Sequence, residues 1–204
     1  FLSVLGISWF WLIGATLLAQ FPNYVKSNFN GDNHVVTLLL AVMTIGIAAG
    51  SIFSSNLLKG EISARYVPAS ALGMTIFLAD LWLASPVTAS ASTIGLADFL
   101  SVPTNWRIAV DLLVVAICGG LFTVPLYAIL QSRSDEAERS QIIAGNNILN
   151  ALFMVAGALV AAAMLALDYS VPDLFLMLAI GNFLVAIYIC KLLPETVIKA
   201  LLAT

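Results

Sequence analysis

The sequence predicts an all-α protein that crosses a membrane several times, and three observations support this fold class. Of the 204 residues, 61% are hydrophobic and only 9% are charged, whereas soluble domains are about 45–50% apolar and about 25% charged. Six stretches are long and apolar enough for a helix to cross a bilayer core of about 30 Å. None of them shows the polar stripe that a helix of a soluble bundle needs. We therefore expect a polytopic membrane protein.

Only two charged residues, Asp80 and Asp111, fall within the predicted spans. The first span lacks the basic start and the cleavage site of a signal peptide. Because the chain starts inside an apolar span without a methionine and has no natural finish, we expect a piece of a longer protein. The six spans cover residues 1–21, 35–58, 67–85, 108–131, 142–167 and 174–190.

The orientation follows from the basic residues, which are enriched in cytoplasmic links. The links after the first, third and fifth spans hold only Lys26 and Arg107. Six basic residues lie in the links after the second and fourth spans and in the C-terminal tail, so both termini are predicted to be cytoplasmic. These six are Lys59, Arg65, Arg133, Arg139, Lys191 and Lys199.

The spans form two triplets of similar spacing that begin near residues 1 and 107. Because each triplet holds an odd number of helices, the second enters the membrane from the opposite side, which predicts an inverted repeat like that in each half of a major facilitator transporter. The apolar residues of the outer linker predict a short helix on the membrane surface. The predicted units are a first repeat at 1–85, an outer linker at 86–105, a second repeat at 106–193 and a cytoplasmic tail at 194–204.

The carboxylate of Asp80 lies near the predicted outer end of the third span. A carboxylate inside a span costs several kcal/mol unless it is paired or hydrated, which makes it a functional candidate. Arg107 and Asp111 lie four residues apart at the start of the fourth span, at the same predicted depth. Two interpretations stay open: a structural ion-pair cluster at the outer rim, or an outer gate that breaks and reforms during transport.

Three asparagines lie in the first turns of the fifth span. Asn146 and Asn150 are four residues apart and share a helix face, while Asn147 points about 100° away from them. Amides on an apolar helix need partners, so one interpretation is hydrogen bonding between helices. The other is a polar lining near the cytoplasmic mouth of a substrate path.

Prolines predict a change of helix geometry in two spans. Pro22 removes a backbone donor and is expected to end or bend the first helix, where Gln20 and Asn23 could accept a polar head group or simply mark the helix end. In the fourth span, a proline that follows paired glycines predicts a kink. The residues of this predicted kink are Gly119, Gly120 and Pro125.

The sequence predicts no catalytic centre, metal site or cofactor in this chain. Its single histidine, His34, is expected to start a helix at the outer surface, and Cys118 and Cys190 lie too far apart in sequence to suggest a disulfide framework or a zinc site. No nucleophile with a base and no phosphate-binding glycine loop is present. The net charge of −3 and the absence of basic runs argue against nucleic-acid binding.

Four stretches, at 18–23, 34–41, 119–127 and 143–153, resemble the lysophospholipid transporter family of Gram-negative bacteria, a branch of the major facilitator superfamily. The resemblance runs along the whole chain and implies the C-terminal six-helix half, with an N-terminal six-helix half as its partner. There is one departure. Ser54 stands where facilitators often carry the acidic residue of a loop motif, so the usual gating salt bridge is not assigned to that link.

The resemblance implies transport of lysophospholipids, such as lysophosphatidylethanolamine, across the bacterial inner membrane for reacylation. Many members of the family are fused to, or encoded beside, an acyltransferase and an acyl–carrier-protein synthetase, which implies such a partner in addition to membrane lipids. Two alternatives stay open: an efflux porter for small amphipathic drugs, and a non-transporting anchor of a fused acyltransferase. A lipid substrate fits in one respect, because a proton-coupled porter usually needs a carboxylate near mid-membrane and both span carboxylates are predicted near the outer rim.

Overall fold

The architecture is a helical bundle whose long helices could each cross a bilayer. The computed structural model describes residues 1–87 and 89–192, so the predicted tail at 194–204, with Lys199, lies outside the described residues. Six of the helices within them are long and apolar enough to span a membrane, which confirms the predicted fold class. The α-helices are α1 (Leu2–Tyr24), α2 (Asn33–Leu58), α3 (Val67–Ala84), α4 (Leu96–Ser101), α5 (Pro103–Ser132), α6 (Arg139–Ala166) and α7 (Val171–Leu192).

Local signals explain where several helices begin. The carboxylate of Asp32 accepts hydrogen bonds from the backbone N–H groups of His34 at 2.9 Å and Val35 at 3.1 Å, so it caps the otherwise unpaired donors at the start of α2. His34 therefore lies in the first turn of a helix, as predicted. The helix α5 starts at Pro103, earlier than the predicted span, because proline is favoured in a first helical turn and a helix can extend beyond the apolar segment.

The sequence predicts that Pro22 ends or bends the first helix; an end at Pro22 is wrong, and a bend stays a prediction. The helix α1 continues to Tyr24 and is followed by a π-helical turn, Val25–Phe29. Proline removes only its own N–H, and the next turns are held by other bonds, including those from the N–H of Val25 to the carbonyls of Phe21 and Pro22. The side chains of Tyr24, Val25 and Phe29 are also buried, so packing stabilises the continuation.

The helices pack in a pattern that relates the two triplets. The helix α1 packs mainly along α6, and α5 packs along α2, while α3 lies against both α5 and α7. The first helix of each triplet thus contacts the middle helix of the other. A two-fold axis between the triplets would produce this exchange. The same axis would also pair α1 with α7 as closely as α3 with α5, and the contact between α1 and α7 is much smaller, so the inverted repeat stays a prediction.

The short helix α4 is confirmed within the predicted outer linker, and it is attached to the bundle. The side chain of Phe99 is completely buried, and its ring contacts Phe29 edge to face at 5.3 Å. Backbone hydrogen bonds join Asp32 to Ile94 at 3.0 Å and Ile94 to Asn30 at 3.1 Å. We call the end of the bundle that carries α4 the outer end, and the opposite end the inner end, after the predicted orientation.

Large apolar side chains cover the outside of the long helices. Ile76 on α3, Leu159 on α6 and Leu184 on α7 are each more than 60% exposed. Contiguous apolar surface of this kind is rare on soluble monomers, but it costs nothing where hydrocarbon is the solvent. The exposed surface therefore supports a position inside a membrane.

Candidate functional site

A polar network joins three helices in the inner half of the bundle. The hydroxyl of Ser8 on α1 donates to the amide oxygen of Asn150 on α6 at 2.8 Å, and both residues are buried. The amide nitrogen of Asn150 lies 3.5 Å from the hydroxyl oxygen of Tyr127 on α5. That hydroxyl also accepts a hydrogen bond from the indole of Trp11 at 3.0 Å. We call Ser8, Trp11, Tyr127 and Asn150 the inner polar network.

The other two asparagines of α6 differ sharply in exposure. Asn146 lies on the same face as Asn150 and is buried, and neither polar atom of its amide has a hydrogen-bond partner among the described residues. Asn147 is exposed on the surface of the helix. The predicted geometry, with two asparagines on one face and the third turned away, is confirmed. Among the residues that the structure describes, Asn150 bonds to other helices, and no such bond is found for Asn146 or Asn147.

The two predicted polar residues near the outer end of α1 lie at the surface. Asn23 is exposed and Gln20 is half-buried. The amide of Asn23 donates to the side-chain oxygen of Gln20 at 3.4 Å, one turn away on the same helix. This pair lies well away along α1 from the inner polar network.

Three charged residues meet at the outer end, as their positions in sequence predict. Two nitrogens of the Arg107 guanidinium donate to the two carboxylate oxygens of Asp80, one of them at 2.9 Å, so that the pair is bidentate. Asp111 lies one turn further along α5 and interacts electrostatically with both. It is only 2% exposed, and its Oδ2 has no hydrogen-bond partner among the described residues. We call Asp80, Arg107 and Asp111 the outer charged cluster.

The predicted kink segment lies within one continuous helix, α5, which runs through Pro125. The two glycines are needed for packing. A Cβ added at Gly120 would lie 2.8 Å from the carbonyl oxygen of Ile47 on α2, and one at Gly119 would lie 2.8 Å from the ring of Phe10 on α1. Close packing by itself accounts for both glycines, so their presence does not indicate a bend. A bend in α5 therefore stays a prediction.

Sequence reasoning missed several polar residues that join helices. Asn182 on α7 is completely buried; its amide donates to the carbonyl of Ala71 at 2.7 Å and to the hydroxyl of Thr75 at 2.9 Å, and its oxygen accepts from the indole of Trp9 at 3.1 Å. Its position as a lone asparagine inside an apolar span is a sequence signal that indicates hydrogen bonding between helices. Ser8, Trp11 and Tyr127 carry no such signal, because serine and aromatic residues are ordinary in membrane helices.

Within the described part of the chain, no group of three His, Cys, Asp or Glu side chains is placed to hold a metal ion. The polar side chains that the structure brings together are amides, hydroxyls and indoles at the inner end, and two carboxylates with one guanidinium at the outer end. These groups can form hydrogen bonds and ion pairs with a polar head group.

Curated sequences that are similar to this chain include the lysophospholipid transporters of Serratia proteamaculans, at 30% identity over 147 residues, and Citrobacter koseri, at 31% over 149 residues. The lysophospholipid transporter of Cronobacter sakazakii is 31% identical over 147 residues. Each match covers 72% of this chain and 31% of the relative, so the chain spans about a third of the length of the curated relatives it matches.

No protein-family model matches the chain, and no solved structure matches it significantly. The similarity to the transporters nevertheless extends over 72% of the chain, and six of the described helices are long and apolar enough to cross a membrane. Over most of its length, this chain is therefore similar to curated bacterial lysophospholipid transporters, as the resemblance of its sequence predicted.

Proposed function

We propose that the complete protein moves lysophospholipids across the bacterial inner membrane for reacylation, and that this chain is its C-terminal six-helix half. The observation that carries the proposal is the similarity to curated lysophospholipid transporters over 72% of the chain. The N-terminal half would complete the transport path. Catalysis is left to a separate acyltransferase, fused or adjacent, and this half contributes transport alone.

The polar side chains are proposed to contact the head group at different depths of the path. Asn147 is exposed, so a head group can reach its amide, while Asn146 and Asn150 are buried on the bundle side of α6. Gln20 and Asn23 form the corresponding polar surface toward the outer end. Amides suit a phospholipid head group, because one side chain can donate to a phosphate and accept from an ammonium.

The outer charged cluster is proposed to act as the outer gate. Arg107 is half-exposed, and its partner Asp80 has a side-chain exposure of 30%, so a head group could reach the pair. The buried carboxylate of Asp111 has an unused oxygen and could take over the guanidinium when Asp80 releases it. The units at 1–85 and 106–193 are proposed to be inverted repeats, which the exchange of helix contacts between the triplets supports in part. Both termini are proposed to be cytoplasmic, on the distribution of basic residues in the links.

Uptake of labelled lysophosphatidylethanolamine by membrane vesicles that contain the complete protein tests this function. We expect saturable uptake that persists when any fused soluble domain is deleted. Movement of an amphipathic dye without lysolipid would favour an efflux porter, and loss of uptake with the soluble domain would favour an anchor. Within the same assay, Asp80→Asn should lower the rate if the gate is real, and an unchanged rate at equal expression would contradict the gate.

A further inference from the structure

A cavity of about 450 Å³ lies at the inner end of the bundle, between α1, α5 and α7. Its size falls within the range of about 300–1,000 Å³ that is typical of small-molecule sites. It reaches from Leu2 to Trp9 along α1, which is about 10 Å at 1.5 Å per residue. Apolar side chains form nearly all of its wall, including Leu5, Leu126 and Val185.

The cavity separates α1 from α7 on the inner side of a tight contact. The indole of Trp9 lies against Gly181, where an added Cβ would come within 2.9 Å of the ring, and it also bonds to Asn182 at 3.1 Å. Inward of this contact, side chains of both helices line the cavity. Leu2 and Tyr188 at its rim are each more than 50% exposed, so the opening faces the surroundings of the bundle.

Hydrocarbon is the natural content of such a space. Water gains few hydrogen bonds inside an apolar wall, and an empty cavity forfeits the dispersion contacts of its lining. Where the opening faces the bilayer, the neighbours of α1 and α7 are lipid acyl chains. A chain that enters between the helices would restore those contacts without removing any polar group from water.

One cation marks the mouth of the cavity. Arg133, which follows the end of α5, is part of its lining and is exposed. The guanidinium of Arg133 forms no ion pair or hydrogen bond with another residue in the described part of the chain, so it is available to an anion. Arginine binds phosphate oxygens through two parallel hydrogen bonds, and basic pockets between helices on the cytoplasmic side bind lipid head groups.

Some residues that line the cavity are close in sequence to the inner polar network, although no member of the network lines it. Trp9 is the neighbour of Ser8, Leu126 is the neighbour of Tyr127, and Phe153 lies within one turn of Asn150. We propose that this cavity binds the single acyl chain of a lysophospholipid while Arg133 pairs with its phosphate, so that the substrate passes between α1 and α7 at the inner leaflet. This inference rests on the proposed function and on the predicted orientation.

Photocrosslinking in liposomes tests the site with the complete, unsubstituted protein. The probe is lysophosphatidylethanolamine with a diazirine in its acyl chain, and mass spectrometry locates the labelled peptides. We expect labelling on α1, α5 and α7 around the cavity, with competition by unlabelled lysophosphatidylethanolamine. Labelling elsewhere, or equal competition by diacyl phosphatidylethanolamine, would overturn the proposal, the second result by showing that the cavity holds an ordinary membrane lipid.

Two variants with matched controls test the contributions of the cavity and the cation. Val185→Phe fills the cavity, while Leu184→Phe adds the same ring to the exposed side of α7. Arg133→Gln removes the cation, while Lys59→Gln removes one that does not line the cavity. We expect Val185→Phe to abolish the crosslink and Arg133→Gln to raise the KM for lysophospholipid about tenfold, with both controls unchanged.

The outcomes separate this inference from the proposed function. If the wild-type protein moves no lysophospholipid, the proposed function fails. If the wild-type protein transports, and Val185→Phe and Arg133→Gln both transport and crosslink like it, the function stands and the cavity is not the binding site. Melting temperatures of Val185→Phe and Leu184→Phe in detergent identify a variant that merely fails to fold, and the crosslink in the unsubstituted protein then decides.

Discussion

Two helix contacts occupy equivalent places in the bundle but are built from different chemistry. Where α2 meets α5, glycines bring the backbones together: a Cβ added at Gly50 would lie 2.1 Å from the carbonyl oxygen of Ile117, and one at Gly46 would lie 2.7 Å from that of Leu113. Where α1 meets α6, side chains fill the space, and Ser8 bonds to Asn150. The first contact depends on shape, and the second depends on hydrogen bonding.

The difference between the two contacts shows how a membrane bundle can pack in one defined arrangement and still carry polar groups where a substrate passes. Helices in lipid gain little from apolar burial, so small residues that allow close approach and hydrogen bonds between helices supply the stability. The α2–α5 contact uses close approach through small residues. The α1–α6 contact uses hydrogen bonding, which places amides and hydroxyls beside the proposed path.

The largest effect should come from Gly50→Ala. The new methyl group would collide with backbone atoms of α5, which cannot move aside as a side chain can, so we expect a loss of about 3 kcal/mol or more. Unfolding in mixed micelles with SDS measures it. Gly145→Ala on α6 is the control, because nothing lies within 4 Å of an added Cβ there. Equal stability of Gly50→Ala and the wild type would show that the helices are further apart than described.

A smaller effect is expected from Gly157→Ala, which makes the same change at the α1–α6 contact. Its Cβ would meet side-chain atoms, the hydroxyl of Thr16 at 2.8 Å and Leu12 at 3.0 Å, and these can adjust. We expect a loss of about 1 kcal/mol in the same unfolding assay. A loss as large as that of Gly50→Ala would mean that the two contacts are equally rigid, which contradicts the distinction drawn between them.

The hydrogen bond between Ser8 and Asn150 can be measured by a double-mutant cycle of Ser8→Ala and Asn150→Ala. Pairs of this kind in a membrane protein average about 0.6 kcal/mol and reach about 1.7 kcal/mol, so we expect a coupling energy within that range. Additive effects of the two substitutions would show that the bond contributes nothing. The same cycle with Ser8→Ala and Asn147→Ala should show no coupling, since Asn147 faces away.

The smallest effect on stability should come from Asn147→Ala alone. The side chain is exposed, and no interhelical bond is lost, so the melting temperature should not change. Transport of lysophosphatidylethanolamine should nevertheless fall if Asn147 lines the path. A variant that is both fully stable and fully active would remove Asn147 from the proposed site.

Much of the fold could be predicted because its cause is local. The hydropathy of each span is a property of neighbouring residues, and the six long helices match the predicted spans to within a few positions at most ends. The continuation of α1 past Pro22 depends on packing of Tyr24 against Phe175 and of Phe29 against Phe99, which no local rule contains.

The candidate site was predictable only in part, for the same reason. Asp80, Arg107 and Asp111 were expected to meet because they share a depth and two of them share a helix turn. The partner of Asn150 lies 142 residues away at Ser8, and a serine gives no sign of such a role. The cavity beside Arg133 arises from the arrangement of several helices, so it has no signature in any one segment.

The most direct test of lysophospholipid transport is reconstitution of the purified complete protein in liposomes with lysophosphatidylethanolamine labelled in one leaflet. We predict that the label crosses the bilayer faster than in protein-free liposomes, that the rate saturates, and that unlabelled lysophosphatidylethanolamine competes while diacyl phosphatidylethanolamine does not. A rate equal to that of protein-free liposomes, from protein shown to be folded, would contradict the account.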